Sequence, residues 1–263
     1  MNNLNIGFIG FGNMAQAMAK GLLQCGVLSA QQIYACARNY EKLQKNCERF
    51  GIHACEQAQQ TVISSDIVIL AVKPYQLEQV TAPLKHLLKE KIVISVAAGM
   101  PYEKMKEMLE PGTAHLSMIP NTPISTGCGV IVCEKTHTLN EQQLETVKKM
   151  FENCAQLVFV DTDLLSIAGT LSGCGPAFAF LFIEALADAG VKYGLTRDVA
   201  YQLVSGMLKG SGALQLESGQ HPGVLKDAVC SPKGTTIRGI GALEEKGFRS
   251  ALIHAIDAIE GKR

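Results

Sequence analysis

The chain of 263 residues has no tryptophan, few aromatics (6%) and no excess of either charge, with 24 Lys and Arg against 24 Asp and Glu. A nucleic-acid-binding surface normally shows as a basic excess, so nucleic acid is not an expected partner. Nor is a membrane. The longest purely apolar run, Ala177 to Ile183, falls far short of the roughly 18 residues a spanning helix needs. The start, Met1-Asn-Asn-Leu-Asn, lacks a basic region and leads straight into a strand-like segment, so no signal peptide is expected. The nine cysteines form no Cys-x-x-Cys pair and have no histidine at zinc spacing, and the six histidines show no i, i+4 pair. Scattered buried thiols, a reducing cytoplasmic setting and no metal site are the expectation. What is present is a chain 47% apolar with 25 glycines, able to bury a sizeable core, which excludes global disorder.

Two halves read differently. Residues 1–160 alternate short apolar runs (5–9, 33–37, 66–72, 92–98, 114–118, 129–133 and 157–160) with helical stretches. Several runs are almost continuously apolar, as in Ile67-Val-Ile-Leu-Ala-Val72, which suits parallel strands covered on both faces. The pattern predicts a doubly wound, Rossmann-type α/β domain with a mostly parallel sheet. From 161 to 263 the strand signal disappears, and helices are expected at 176–191, 196–217, a short piece from 222, 235–245 and 248–259. Thr196 and Ser231 have N-cap character, and Gly190, Gly194 and Gly247 supply stops. The segment Ala177-Phe-Ala-Phe-Leu-Phe-Ile183 is apolar on every face, more than a helical domain of this size buries by itself, so a homo-oligomer is expected.

The first strand runs into Ile9-Gly10-Phe11-Gly12-Asn13-Met14-Ala15, a G-x-G-x-x-A loop that follows a strand and opens a helix. Gly10 permits the tight turn, Gly12 lets backbone approach a pyrophosphate, and Ala15 lets the helix pack on the sheet. The end of the second strand, Ala35-Cys-Ala-Arg38-Asn39, carries an arginine and no carboxylate. A guanidinium suits a ribose 2′-phosphate, so NADPH is expected ahead of NADH. Two further strand ends, Ala71-Val-Lys73-Pro74 and Ala97-Ala-Gly99, fall where a dinucleotide lies. Lys73 either acts on a phosphate or substrate or merely flanks the sheet.

Four later motifs are more specific: Ile119-Pro-Asn121-Thr-Pro123, Leu171-Ser-Gly-Cys174-Gly-Pro176, His221-Pro-Gly-Val-Leu-Lys-Asp227 and Val229-Cys-Ser231-Pro-Lys233-Gly234-Thr235-Thr236. With the glycine loop, and in this order from about Ile6 to Arg249, the chain closely resembles the pyrroline-5-carboxylate reductase family. The resemblance implies reduction of the cyclic imine Δ1-pyrroline-5-carboxylate to L-proline by hydride from NAD(P)H. It also implies an N-terminal dinucleotide domain, an all-α dimerisation domain, and dimers that commonly assemble into decamers. It places cofactor contacts on Ile9, Gly10, Phe11, Gly12, Asn13, Met14, Arg38, Asn39, Ala71, Val72, Lys73, Pro74, Ala97, Ala98 and Gly99. Substrate contacts fall on Asn121, Val229, Ser231, Gly234, Thr235 and Thr236. The segment from Ser231 to Thr236 leads into a helix, whose unpaired N–H groups suit a carboxylate, or alternatively form an ordinary N-cap. Gly234 is expected to admit the ligand closely, and Thr236 to stand beside the ring nitrogen as the catalytic hydroxyl.

Three positions depart from the family pattern. Cys174 replaces a serine, Lys233 replaces a glycine, and Ala58 stands near where relatives place an adenosine-contacting asparagine. A lysine at 233 argues for an ordinary negative φ there. Two other readings of the whole chain compete. A β-hydroxyacid dehydrogenase would carry a lysine in the centre of the long apolar helix, which here has Glu184, Asp188 and only a late Lys192. A non-catalytic NADPH sensor would have no reason to keep a second anion site.

Overall fold

Eight strands form one sheet in the computed structural model, which describes residues 4–261. Met1 to Asn3, part of the segment read for a leader, lie outside the described residues. The strands are β1 (Ile6–Ile9), β2 (Ile33–Cys36), β3 (His53–Ala54), β4 (Ile67–Leu70), β5 (Ile92–Ser95), β6 (Ala114–Pro120), β7 (Gly129–Glu134) and β8 (Ala155–Val160). Their order is β3-β2-β1-β4-β5-β6-β7-β8, and every pairing is parallel except β6 with β7. All seven expected runs are strands; β3, two residues long at the sheet edge, was not foreseen.

Helices α1 (Asn13–Gln24), α2 (Tyr40–Phe50) and α3 (Ala58–Ile63) follow the first three strands in turn. Short helices α4 (Leu77–Thr81) and α5 (Lys85–Leu88) follow β4, α6 (Tyr102–Met108) follows β5, and α7 (Glu141–Phe151) joins β7 to β8. Successive side chains of a strand point to opposite faces. Ile67 and Ile69 therefore enter one core with Phe8, Met18 and Leu22, while Val68 and Leu70 enter the other with Leu77, Leu84 and Met105. Helices cover both faces, which is why the central strands read as uninterrupted apolar runs.

Two compact units divide at Pro176 and Ala177. The first retains residues 162–176, which pass from α8 (Leu165–Gly169) through a single π turn at Thr170–Cys174. These residues pack on the sheet: a Cβ at Gly169 would lie 2.6 Å from Ile119 Cδ1, and Asn121 Nδ2 donates to Ser172 O at 3.1 Å. The helix α9 (Gly175–Lys192) continues the run. The segment Thr162–Lys192 is long and apolar enough, by length and composition, to cross a membrane; the shorter apolar run noted above understates it because helix continues on both sides.

The second unit contains α10 (Arg197–Ser218), α11 (Pro222–Ala228), α12 (Thr235–Glu245) and α13 (Phe248–Glu260). Thr196 is the N-cap residue of α10, although its side chain makes no capping bond. Gly190 lies inside α9 rather than ending it, whereas Gly194 follows with φ +99°. The N-cap of α12 is Gly234 and not Ser231. The buried core of this unit is small: Ala187, Ala200 and Val204, with Ile183 and Val191 against them. Phe180, Leu181, Leu203, Leu216 and Ile253 are each 58–65% exposed.

Candidate functional site

A cleft of about 1120 Å³ opens at the carboxyl ends of the parallel strands, where open α/β sheets bind their ligands. Its floor is backbone. Gly10 has φ +90°, and a Cβ there would lie 2.7 Å from Ala71 O and 2.8 Å from Val72 Cγ1, so glycine is required by the neighbouring strand end. A Cβ on Gly12 would meet nothing within 4 Å, and Gly12 is the N-cap of α1 on the cleft wall, beside leading N–H groups that have no partner within the helix. The loops are tied together across the sheet: Gly10 N–H donates to Cys36 O at 2.9 Å, Ala71 N–H to Ile9 O at 2.8 Å and Val96 N–H to Leu70 O at 3.1 Å. Gln16 Nε2 holds Phe11 O at 3.1 Å.

Of the expected cofactor residues, the cleft gathers Ile9, Gly10, Gly12, Asn13, Met14, Arg38, Ala71, Val72, Lys73, Pro74, Ala97 and Ala98. Three others lie off its wall. Phe11 is 5% exposed, and its ring packs edge-on against Phe8 and Phe50. Asn39 caps α2, its Oδ1 accepting from Lys42 N–H at 2.9 Å. Gly99 has φ +72° and its carbonyl accepts from Lys104 Nζ at 3.3 Å.

The wall also includes residues not assigned to the cofactor from the sequence, notably Cys36, Glu56, Gln76, Val96, and Ile119 and Thr122 of the Ile119-Pro-Asn121-Thr-Pro123 motif. Most sit beside strand ends already marked, and following the same edge out to β6 finds Ile119 and Thr122. Burial pushes the Cys36 thiol above its ordinary 9.0, against weaker lowering by bonds from Thr61 and Gly10, so it lines the cleft as a neutral group. Arg38 is exposed and forms no ion pair among the described residues, leaving its guanidinium available. Ala58 lies on the wall and brings a methyl group with no polar atom. The fit to a dinucleotide is good: a glycine-floored cradle, open space at Gly12, first-turn donors and an unpaired arginine share one cleft.

Asn121, expected among the substrate contacts, is 6% exposed. Its amide is spent inside the protein, donating to Ser172 O and accepting from Val130 N–H at 2.9 Å. In the second unit, Ser231, Thr235, Thr236 and Val229 are exposed. Gly234 N–H donates to Ser231 O at 3.0 Å, closing a turn around Pro232 and Lys233. A Cβ on Gly234 would lie 2.4 Å from Ser231 Oγ and 2.9 Å from Ser231 O. Glycine at 234 is therefore needed by the turn itself.

Lys233 corrects an expectation. Its φ is +58°, the one positive φ of a non-glycine residue among the described residues. Proline followed by a positive-φ residue at the centre of the turn is the type II pattern, which glycine fits without strain. After the turn, Thr235 and Thr236 begin α12, and no side chain caps its first turn. No group of three or more His, Cys, Asp or Glu that could hold a metal occurs among the described residues.

Residues 162–263 match the family model for pyrroline-5-carboxylate reductase dimerisation, and residues 5–99 match that for NADP oxidoreductase, coenzyme F420-dependent. A pyrroline-5-carboxylate reductase of Treponema pallidum (strain Nichols) is 48% identical over 259 residues, covering 97% of this chain and 98% of that protein. The Escherichia coli (strain K12) enzyme of the same name is 36% identical over 252 residues, covering 95% and 94%. Among solved structures, a Plasmodium falciparum pyrroline carboxylate reductase with NADP bound superposes with a TM-score of 0.87 at 29% identity, over 100% of this chain and 98% of that one. With identity at this level along nearly the whole length, and with the glycine loop, the Ser-Pro-x-Gly-Thr-Thr turn and the helical unit all present, the chain belongs to the pyrroline-5-carboxylate reductase family.

Proposed function

We propose that the protein reduces Δ1-pyrroline-5-carboxylate to L-proline with a nicotinamide dinucleotide, NADPH ahead of NADH. The observation that carries this reading is the pairing of features within one chain: a glycine-floored dinucleotide cleft, and an uncapped helix start bearing two threonines after a Ser-Pro turn. When bound, the dinucleotide supplies a hydride equivalent. The imine carbon accepts it and the ring nitrogen, already protonated, becomes the amine, so no nucleophile or metal is needed. Positioning then carries most of the rate.

Each group on this chain has a defined task. The first-turn N–H groups of α1 and the open backbone at Gly12 take the pyrophosphate, and Arg38 takes the 2′-phosphate. The first-turn N–H groups of α12 take the substrate carboxylate, with the Thr236 hydroxyl beside the ring nitrogen. Asn121 acts through the π turn it holds rather than by touching substrate. Residues 1–160 serve the dinucleotide; 161–263 carry the substrate loop and the dimer surface.

A homo-oligomer, a dimer at least and in the family's manner a decamer, accounts for the exposed apolar side chains of the second unit. Phe180 and Leu181, 63% and 65% exposed in one chain, would be covered by a second copy, as obligate interfaces require. The nine free thiols suit a reducing, cytoplasmic setting.

The test is direct. Purified protein, NADPH and the imine should show loss of nicotinamide absorbance with proline as product. Thr236→Ala should lower turnover roughly ten- to a hundredfold, about 1.4–2.7 kcal/mol of transition-state stabilisation, with NADPH affinity held within about twofold. Parent-like turnover in that variant would remove Thr236 from the site, and absence of turnover in the parent would remove the function.

A further inference from the structure

We propose that Glu134 is a positioning residue for the loop between β5 and α6, the stretch whose Ala97 and Ala98 form the cleft wall. The sequence gives no warning of it, since a glutamate at the end of a strand reads as a solvated charge. In the structure it is 0% exposed. Its Oε2 accepts from Tyr102 N–H at 2.6 Å and its Oε1 from Thr162 Oγ at 2.6 Å. It forms no ion pair among the described residues. Burying a carboxylate is costly unless its hydrogen bonds are well placed, and these two connect three separate stretches of chain: the last residue of β7, the first residue of α6 and the start of the helical run at Thr162.

The placement matters because of what precedes Tyr102. Pro101 has no N–H and gives α6 no side-chain cap, so the carboxylate satisfies a donor that would otherwise be orphaned. The peptide just upstream is held through its carbonyls, with Ser117 Oγ of β6 donating to Met100 O at 2.9 Å and Lys104 Nζ of α6 to Gly99 O at 3.3 Å. His115 backs Tyr102, its ring stacked at 4.7 Å between centroids and its Nε2 3.4 Å from Tyr102 O. Ala97 and Ala98 have only methyl groups and cannot fix their own position through side-chain bonds. The depth of that wall is set by its flanks, and the Glu134 bond is the shortest of those bonds.

The order of the sheet says which end of a ligand this wall meets. Arg38 follows β2, the glycine loop follows β1, and Ala97 and Ala98 follow β5 on the far side of β4. A dinucleotide whose 2′-phosphate reaches Arg38 therefore lays its nicotinamide half toward β5. Glu134 tunes the reacting end and leaves the adenosine end alone. The inference rests on the dinucleotide reading proposed above.

Glu134→Met tests it, because the unbranched side chain keeps the length and accepts neither bond, whereas glutamine could still accept from Tyr102 N–H and donate to the Thr162 hydroxyl. In the protein without cofactor, amide hydrogen exchange at residues 96–105 should rise at least tenfold while β1, β2 and β4 stay protected. Binding of 2′,5′-ADP should stay within twofold of the parent. With NADPH and the imine, turnover should fall about five- to twentyfold and the deuterium isotope effect from 4-deuterated NADPH should grow, as hydride transfer becomes limiting. Thr162→Val, which removes only the other bond, should leave exchange at 96–105 unchanged. Parent-like exchange in Glu134→Met, equal loosening of 96–105 in both variants, or a loss of turnover matched by a loss of folded protein with no change in isotope effect would each overturn the proposal. A parent without imine turnover would instead overturn the functional reading, and the exchange and 2′,5′-ADP measurements would still decide the role of Glu134.

Discussion

Replacing Lys233 with glycine should make the protein more stable. Lys233 sits at φ +58° in a turn closed by the Gly234 N–H to Ser231 O bond of 3.0 Å. For a residue with a Cβ, the left-handed conformation costs about 1–2 kcal/mol. Glycine removes that cost and adds roughly 0.5–1 kcal/mol through the greater freedom of its unfolded chain. Lys233 is exposed and in no ion pair among the described residues, so losing its side chain changes little else. The net gain is about 0.5–1 kcal/mol, on the order of 2 °C in Tm for a chain of this length. Urea unfolding at one fixed protein concentration, necessary because assembly makes stability depend on concentration, should show a higher midpoint at unchanged slope. Lys233→Asn should fall between the two, since asparagine tolerates the left-handed region better than lysine. A lower midpoint for Lys233→Gly would refute the reasoning and show that the lysine makes a contact worth more than the strain of its backbone.

Arg38→Ala should weaken NADPH by about 1.5–3 kcal/mol, the range for a hydrogen bond to a charged group, and leave NADH nearly unchanged; equal losses in fluorescence titrations would assign Arg38 to the fold. Burial pushes the His115 imidazole below its ordinary 6.5, outweighing the bonds to Thr113 and Tyr102 that raise it. The fold therefore favours the neutral ring while the unfolded chain takes up a proton first, so this contribution is complete above about pH 6.5 and is lost as pH falls through the lowered value. Melting curves across that window should drop less steeply for His115→Gln than for the parent, and parallel curves would remove His115 as the cause. Burial holds the Cys47 thiol at about 11 and the Cys133 and Cys154 thiols at about 12, so a maleimide at mildly alkaline pH should label exposed Cys128 first. Peptide mapping that found Cys133 or Cys154 modified in the native protein would contradict the burial.

The strands were legible because they are central: β1 and β4 are buried at every position, so their apolar runs are unbroken. β3 escaped notice because a pairing of two residues, Tyr34 with His53 and Ala35 with Ala54, leaves no periodic trace. The helical stretch from Thr162 to Cys174 was missed for a different reason. Its glycines, threonines and serines are poor helix formers, and a π turn breaks the 3.6-residue period on which recognition depends. Packing supplies what propensity does not, through Gly169 against Ile119 and the Asn121 bond to Ser172. In the second unit, the sequence marked apolar side chains correctly as needing cover, but periodicity does not say whether the cover comes from the same chain or from another copy.

The candidate site divides along the same line. Its backbone elements could be read from sequence because glycine is itself a backbone statement: Gly10 must be glycine at φ +90° beside Ala71 O, and the motif records that. Side chains inside the motif were less certain, since a position in the pattern says nothing of direction, and Phe11 turns into the core against Phe8 and Phe50. The turn at 231–234 was misread because its conformation is decided by a bond between Gly234 and Ser231 with proline between them, which overrides the preference of Lys233. The residues hardest to see are those that hold other residues. Tyr102 and Glu134 lie 32 positions apart and Asn121 and Ser172 lie 51 apart, while periodicity and motif spacing compare neighbours within a turn or two. Where a reaction needs only hydride and imine placed face to face, such long-range bonds set the placement, and the sequence of any one segment carries half of each.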